Sequence, residues 1–315
     1  MPIVIERRTI VFPDERLAGL EHPAFEARGA GDGPHVALIG GVHGCEYSSI
    51  AAVTRFMNEL DTEELAGSIT AVPVVSMESF VRRSPFVVPG DGKNLNRSFP
   101  GSYDGTYTDA LARGIFDELI APADVLLDLH GGDLVEALEP FTIYGAGGET
   151  EERAHALAVA FGLPYVVRQQ PSGGLGGMTS DAAAGAGIPS IIAEAGGRGQ
   201  LEEEAVTLLV DGVRNALRSL GMLPGPVEPP RREMRLVGTF EWLRCRAAGW
   251  WEAAVPVGAS VGEGDLLGRV KSLWGDVQEE IRAPRGGVVL FLTTSAAVSD
   301  DGLLLGLGAD LSPVG

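Results

Sequence analysis

The sequence predicts an α/β protein: an α/β/α sandwich around a mixed, mostly parallel sheet, followed by a small all-β domain. Two observations carry this. Buried-type apolar runs alternate with amphipathic helical segments as far as Leu220, the pattern of a sheet covered by helices on both faces. Beyond the proline-rich stretch Gly221 to Arg232 the helical period disappears, and short runs of Val, Leu, Trp and Phe alternate with Gly and Asp turns. The expected division is therefore residues 1–225 and 226–315.

Pro2 to Phe12 alternates like a strand, and a Gly/Pro stretch separates it from the apolar strand His35 to Gly41. Tyr47 to Leu60 has helical spacing of Ile50, Val53, Phe56, Met57 and Leu60, so GGVHGCE falls at a strand-to-helix turn. A second apolar run, Ser68 to Ser76, leads into a long polar loop from Arg82 to Tyr107, of a length that in compact domains usually serves function. A helix around Asp109 to Leu119, a strand Asp124 to His130, a strand Phe141 to Tyr144 and a helix Glu149 to Phe161 follow. The strand Ile188 to Glu194 and the helix Gln200 to Leu220 complete the set. The acidic runs Glu149-Glu151-Glu152 and Glu202-Glu203-Glu204 read as solvated first turns, where negative charge favours a helix N-terminus.

Asp plus Glu number 43 against 24 Lys plus Arg, a formal charge of −19, which argues against a nucleic-acid or anionic-membrane surface. Only Cys45 and Cys245 occur, too few for a disulfide framework and too far apart for a Cys-x-x-Cys site. Glu6, Arg7 and Arg8 interrupt the one place where a signal segment would sit, and no long apolar stretch exists, so a soluble, cytoplasmic protein is expected. Oligomeric state is not legible, although symmetric homo-oligomers are common among soluble proteins.

The chemistry gathers at strand ends. His43-Gly-Cys-Glu46 offers an imidazole and a carboxylate where a strand feeds a helix, both suited to zinc, whose catalytic sites take three protein ligands and keep a position open. His130 can supply the third: it ends its own apolar strand, and the carboxyl ends of strands in open α/β sheets converge on one crevice. Glu194 ends another strand and is followed by AGG. A carboxylate there can take a proton from water and pass it to a leaving amine, while zinc lowers the pKa of water it holds from 15.7 toward about 7. The long loop carries Asn94-Leu-Asn96-Arg97-Ser-Phe-Pro-Gly101, with Arg82 and Arg83 upstream; guanidinium groups grip a carboxylate or stabilise an oxyanion. Together these describe hydrolysis of an amide next to a carboxylate.

The set GGVHGCE, DGKNLNRSFPG, LDLHGG and AEAGG, in that order over roughly residues 35–200, resembles the succinylglutamate desuccinylase/aspartoacylase family of the zinc carboxypeptidase-like superfamily. The resemblance implies a zinc carboxypeptidase-like fold with one Zn2+ per chain held by His43, Glu46 and His130, Glu194 as the catalytic glutamate, and Asn96 with Arg97 as the substrate-carboxylate pair. Arg83 is the chosen oxyanion-stabilising arginine, with Arg82 beside it as the alternative. The segment GASVGEGDLLGRVKSLWGDVQEEIRAPRGGVVLFL looks like a barrel-sandwich hybrid, the shape of lipoyl and biotinyl carriers. Lys271 stands in KSLWG without the carrier context, so no lipoyl or biotin group is expected.

Blander readings apply to several residues. Cys45 between two ligands reads as a small buried apolar residue rather than a ligand. Asp128 is either a buried strand polar group or a partner that orients a ligand. Asp133 and Glu136 either shape substrate choice or serve as solvated or capping groups. His22, His35 and His155 lack motif context and read as structural. The expected function is a zinc-dependent deacylase acting on a small N-acyl amino acid, with N-acetylated diamino acids, N-acetylaspartate-like and N-succinyl substrates all open. Its rivals are a carboxypeptidase acting on peptides and an inactive binding or assembly module of the same fold.

Overall fold

The structure is a computed structural model and describes residues 5–170 and 176–314. Its main sheet has thirteen strands. Across it the strands run Glu6–Ile10, His22–Arg28, Ala66–Val72, Gly31–Gly40, Val125–His130, Ser190–Glu194, Phe141–Gly145, Tyr165–Gln169, Arg235–Arg244, Leu303–Pro313, Gly287–Thr293 and Ser260–Val261, while Glu136–Leu138 pairs with Gly287–Thr293. Ala66–Val72, Gly31–Gly40, Val125–His130 and Ser190–Glu194 form one parallel block. The remainder of the sheet is mixed.

Period-two alternation puts this block between two apolar layers. Val36 and Leu38 join Leu127 and Leu129 on one face, under the helices Tyr47–Glu59 and Glu203–Ser219, whose Val53, Phe56, Leu209 and Val213 complete that cluster. Ala37, Ile39 and Leu126 face the other way, against Leu111 and Ile115 of the helix Tyr107–Ile115 and Ala183 of the helix Thr179–Gly185. The two helices of the first layer are also joined at their surfaces by Arg55 to Glu203 at 2.6 Å and Arg214 to Glu59 at 2.6 Å.

Several expected elements shift. The strand expected over Pro2 to Phe12 is realised as Glu6–Ile10, and residues 2–4 lie outside the described residues. The run Ser68 to Ser76 leaves the sheet after Val72, because Val75 and Ser76 donate their N–H groups to Gly40 and Gly41 and turn the chain over the strand end. The helix expected from Asp109 to Leu119 splits into Tyr107–Ile115 and a π turn, Phe116–Ile120. A helix at Met77–Arg82 and a 3-10 turn at Leu95–Arg97 occupy the polar loop and its approach. The strand Tyr165–Gln169 and the helix Thr179–Gly185 were not foreseen.

From residue 235 onward the chain is all β, with a second, four-stranded antiparallel sheet of Val277–Arg282, Leu266–Lys271, Gly249–Ala253 and Ala297–Val298. Trp251, Leu267, Val270, Val289, Leu305 and Leu307 fill the space between its two sheets. The main sheet does not stop at the proline-rich stretch: Arg235, Leu236 and Val237 pair in parallel with Tyr165, Val166 and Val167. A further apolar cluster of Phe141, Val167, Val237, Val288 and Leu290 seals that seam. Lys271 sits in a strand and pairs with Glu252 at 2.5 Å.

Candidate active site

Three neighbouring parallel strands bring the predicted residues together. Gly40 pairs with Leu129, Leu129 with Ala193, and His130 with Glu194, so the chain leaves all three strands at one edge. There His43, Glu46 and His130 each offer a ligand atom, and these atoms lie within 4.8 Å of one another. The rings of His43 and His130 meet edge to face, with centroids 5.4 Å apart. Close approach of backbones makes this possible. A Cβ on Gly131 would stand 2.5 Å from the carbonyl oxygen of Ala195, and one on Gly197 would stand 2.3 Å from that of Glu136.

The donor set fits a metal ion. Nδ1 of His130 lies 3.0 Å from Oε2 of Glu46, while its Nε2 lies 3.1 Å from Oδ2 of the fully buried Asp128. Asp128 thus holds the far nitrogen and aims the near one at the cluster, the carboxylate–histidine arrangement of metal sites. Thr179 Oγ1 donates to the same Asp128 oxygen at 2.5 Å, and Oδ1 of Asp128 is buried without a partner among the described residues. Burial, then the neighbouring His130 and Arg97, push the His43 imidazole down to about 3, so it is neutral and a competent ligand. Burial pushes Glu46 up to about 7. For His130 burial opposes the charge, but Asp128 and Glu46 outweigh it and raise its pKa well above the ordinary value. Both shifts favour the protonated form of the Glu46–His130 pair, and a cation held by the cluster would compete with that proton.

Glu194 stands beside this cluster, its carboxyl raised well above the usual range by burial and by Glu46, Glu136 and Asp128. A cavity of about 1040 Å³ opens over these groups, lined by His43, Glu46, His130, Glu194, Asn96 and Arg97. Asn96 is buried and its Oδ1 accepts the Thr179 N–H at 3.1 Å. Arg97 donates to the Asn96 carbonyl at 2.5 Å and forms no ion pair among the described residues. Its charge faces Asp181 and Glu194.

Arg83 is placed differently from the sequence expectation. It terminates the helix Met77–Arg82 in a left-handed conformation, is exposed, and is not among the cavity-lining residues. Its charge acts on Cys45 and Tyr47 instead. Arg82 is also exposed and pairs with Glu78 at 3.3 Å. Cys45 is fully buried, burial pushes its thiol up to about 11, and it is not part of the grouping of His43, Glu46 and His130. His22 is fully buried against Phe12, His35 bonds Ser68 at 2.8 Å, and His155 packs on Tyr144.

Sequence reasoning missed several residues of the site. Phe86 adopts φ 61°, a strained conformation for a bulky side chain; its N–H donates to Asp133 at 2.8 Å while its backbone hydrogen-bonds His43. Thr179 ties Asn96 to Asp128, as above. From beyond residue 235, Trp242, Arg244, Phe291 and Thr293 close the cavity. Only the backbone conformation at Phe86 and the pairing of distant strands reveal these residues; no local signal in the sequence does.

A cluster that could hold a metal ion, at the carboxyl edge of a parallel sheet and with a buried carboxyl beside it, is an arrangement suited to a hydrolase. The profile of the succinylglutamate desuccinylase/aspartoacylase catalytic domain matches residues 32–220, and the chain belongs to that family. It is 30% identical, over 85% of this chain and 80% of the relative, to an N-alpha-acetyl-L-2,4-diaminobutyric acid deacetylase of Halomonas elongata. The product-bound structure of the ectoine utilization protein EutE (DoeB) from Ruegeria pomeroyi superposes with a TM-score of 0.86 at 26% identity, covering 98% of this chain and 95% of that one. A succinylglutamate desuccinylase/aspartoacylase from Rhodobacter sphaeroides gives 0.83 at 26% identity, covering 99% and 95%. Relatives bearing functional names are amide-cleaving deacylases. Among the described residues no helix is long and apolar enough to cross a membrane.

Proposed function

We propose that this chain is a zinc-dependent amidohydrolase that removes the acyl group from a small N-acyl amino acid. The observation that carries the reading is the convergence of His43, Glu46 and His130 within 4.8 Å, beside Glu194, in one cavity. Two imidazoles and a carboxylate suit zinc. The deacetylase relative supports the amide as the bond cleaved.

When bound, zinc polarises the scissile carbonyl and makes water acidic enough to lose a proton near neutral pH. Glu194 takes that proton as the water oxygen adds to the carbonyl carbon. It then delivers the proton to the amine nitrogen as the C–N bond breaks, leaving a carboxylic acid and an amine; the acid's proton passes to the amine, so the products are a carboxylate and an ammonium ion. Its raised pKa suits both roles. Arg97, unpaired and facing the cavity, grips the substrate carboxylate with the Asn96 amide. Asp128 and Phe86 fix the two imidazoles. Arg83 serves the oxyanion only if its loop carries it inward, since it starts outside the lining. The residues beyond 225 act as a wall that limits the substrate to a small molecule.

The test is product analysis by mass spectrometry, with zinc-loaded protein given a mixed panel of N-acyl amino acids and short peptides beside a chelated control. Chelator-sensitive release of a carboxylic acid from N-acyl amino acids is expected. Release of C-terminal residues from peptides alone would replace the reading with carboxypeptidase.

A further inference from the structure

The residue whose place this mechanism leaves unexplained is Glu136. Its backbone is clamped from several sides. Its N–H donates to the Asp133 carbonyl at 3.1 Å, its own carbonyl accepts the Arg198 N–H at 2.7 Å, and Glu136 pairs with Thr293 where Glu136–Leu138 joins the strand Gly287–Thr293. The side chain lines the same cavity as Glu46, Glu194 and Arg97. Oε2 accepts the Asp133 N–H at 2.9 Å. No lysine, arginine or histidine pairs with the carboxylate among the described residues, and the charges that face it are those of Glu46, Asp133 and Glu194. A recessed ionised carboxylate without a cation is costly, so such a group either keeps its proton or takes a positively charged partner.

We infer that Glu136 is the counter-ion for an ammonium group on the substrate's side chain, so that N-acylated diamino acids are preferred over N-acylated acidic amino acids; this rests on the deacylase reading above. The charge balance of the cavity supports it. Of the carboxylates that line the cavity, Glu46 would hold the cation and Glu194 serves the proton transfer. Arg97 is neutralised by the substrate's α-carboxylate. Arg244 is occupied, donating to the Asp301 carbonyl at 2.7 Å with that residue's carboxylate at 3.6 Å. Glu136 is the lining carboxylate left without a partner of opposite charge; burial favours its protonated form in the free protein, and an ammonium group beside it favours the ionised one. A second substrate carboxylate is repelled there, and an ammonium group is held by a charge-assisted hydrogen bond.

A purely structural role predicts something else. The turn at Asp133 needs only an oxygen acceptor, which glutamine supplies at the same position, so Glu136→Gln keeps the turn and removes the charge. The experiment measures kcat/KM of zinc-loaded protein for N-α-acetyl-2,4-diaminobutyrate, its neutral isostere N-acetylnorvaline, and N-acetylaspartate. In the native enzyme the diamino substrate should exceed the isostere by about 30-fold or more, with the aspartate last. In Glu136→Gln that ratio should fall at least 10-fold, and Glu136→Asp should retain part of it. Calorimetry with free 2,4-diaminobutyrate and norvaline, on zinc-loaded and chelated protein, should show the same preference and its loss. Equal rates and binding for diamino acid and isostere, or a preference unchanged in Glu136→Gln, would overturn the assignment of Glu136. If no N-acyl amino acid is hydrolysed the deacylase reading fails instead, and the calorimetric comparison alone then decides Glu136.

Discussion

Replacing Asp128 by asparagine isolates its charge from its shape. Asp128 is fully buried, and one oxygen, Oδ2, takes both the His130 Nε2 contact at 3.1 Å and the Thr179 hydroxyl at 2.5 Å. Asparagine can still offer an oxygen to His130, so the ring keeps its direction while the hydrogen bond loses its charge. Charge-assisted bonds contribute about 1.5–3 kcal/mol and neutral ones roughly half as much, so the loss is about 0.8–1.5 kcal/mol. That corresponds to zinc affinity weaker by about 10-fold, at the lower end of the 10- to 100-fold range for partners that orient metal ligands. Competition titration against a zinc chelator at fixed pH measures it directly, with circular dichroism to establish that the variant folds. Thr179→Ala, which removes only the hydroxyl, should have a smaller effect in the same direction. Zinc affinity of Asp128→Asn within about 2-fold of the native value would refute the view that Asp128 tunes His130.

The other predictions follow from the same geometry. Glu194→Gln should reduce kcat by about 100-fold or more with zinc content unchanged by elemental analysis, as expected when the group that transfers the proton is lost; turnover near the native level would remove Glu194 from the chemistry. Arg97→Ala should raise KM for N-acyl amino acids by about 10- to 100-fold, and Arg83→Ala should cost less, because Arg83 is exposed outside the cavity; equal losses in steady-state kinetics would show that the loop brings Arg83 inward. Burial pushes Glu136 up to about 8 in the folded chain from an ordinary value of 4.5. The folded state therefore holds the extra proton between those pH values, and this group's contribution to stability falls as pH rises from about 4.5 to about 8. In chelated protein the melting temperature of Glu136→Gln relative to native should accordingly rise between pH 5 and pH 8, whereas a constant difference in thermal melts would contradict the shift.

Much of the site is legible in the sequence because its residues follow strand ends. His43, His130 and Glu194 each come at or just after an apolar run, and parallel strands of similar length end at one edge, so their meeting follows from the order of elements. Asn96 and Arg97 are legible by motif only. The burial of Asn96 and its bond to Thr179 depend on a helix whose alanine-rich stretch gave no strong apolar period. Arg83 illustrates the opposite case. Its motif neighbourhood pointed to the site, but the helix Met77–Arg82 ends there in a left-handed turn that leaves the side chain in solvent. Glu136 had two readings in sequence, and its recess in the cavity is created by the pairing of Glu136–Leu138 with residues 291–293.

The sequence by itself determined the alternation of strands and helices, the two apolar faces of the parallel block, and the edge at which the metal-ligating types gather. These follow from periods of two and 3.6 residues, which act within a single element. Only the tertiary structure decided that the sheet continues through Arg235–Val237 into the C-terminal strands, and that Trp242, Arg244, Phe291 and Thr293 close the cavity above Glu194. Local periodicity says which face of a strand is apolar but not which distant strand will cover it. That choice belongs to hydrogen-bond register and packing between segments far apart in the chain.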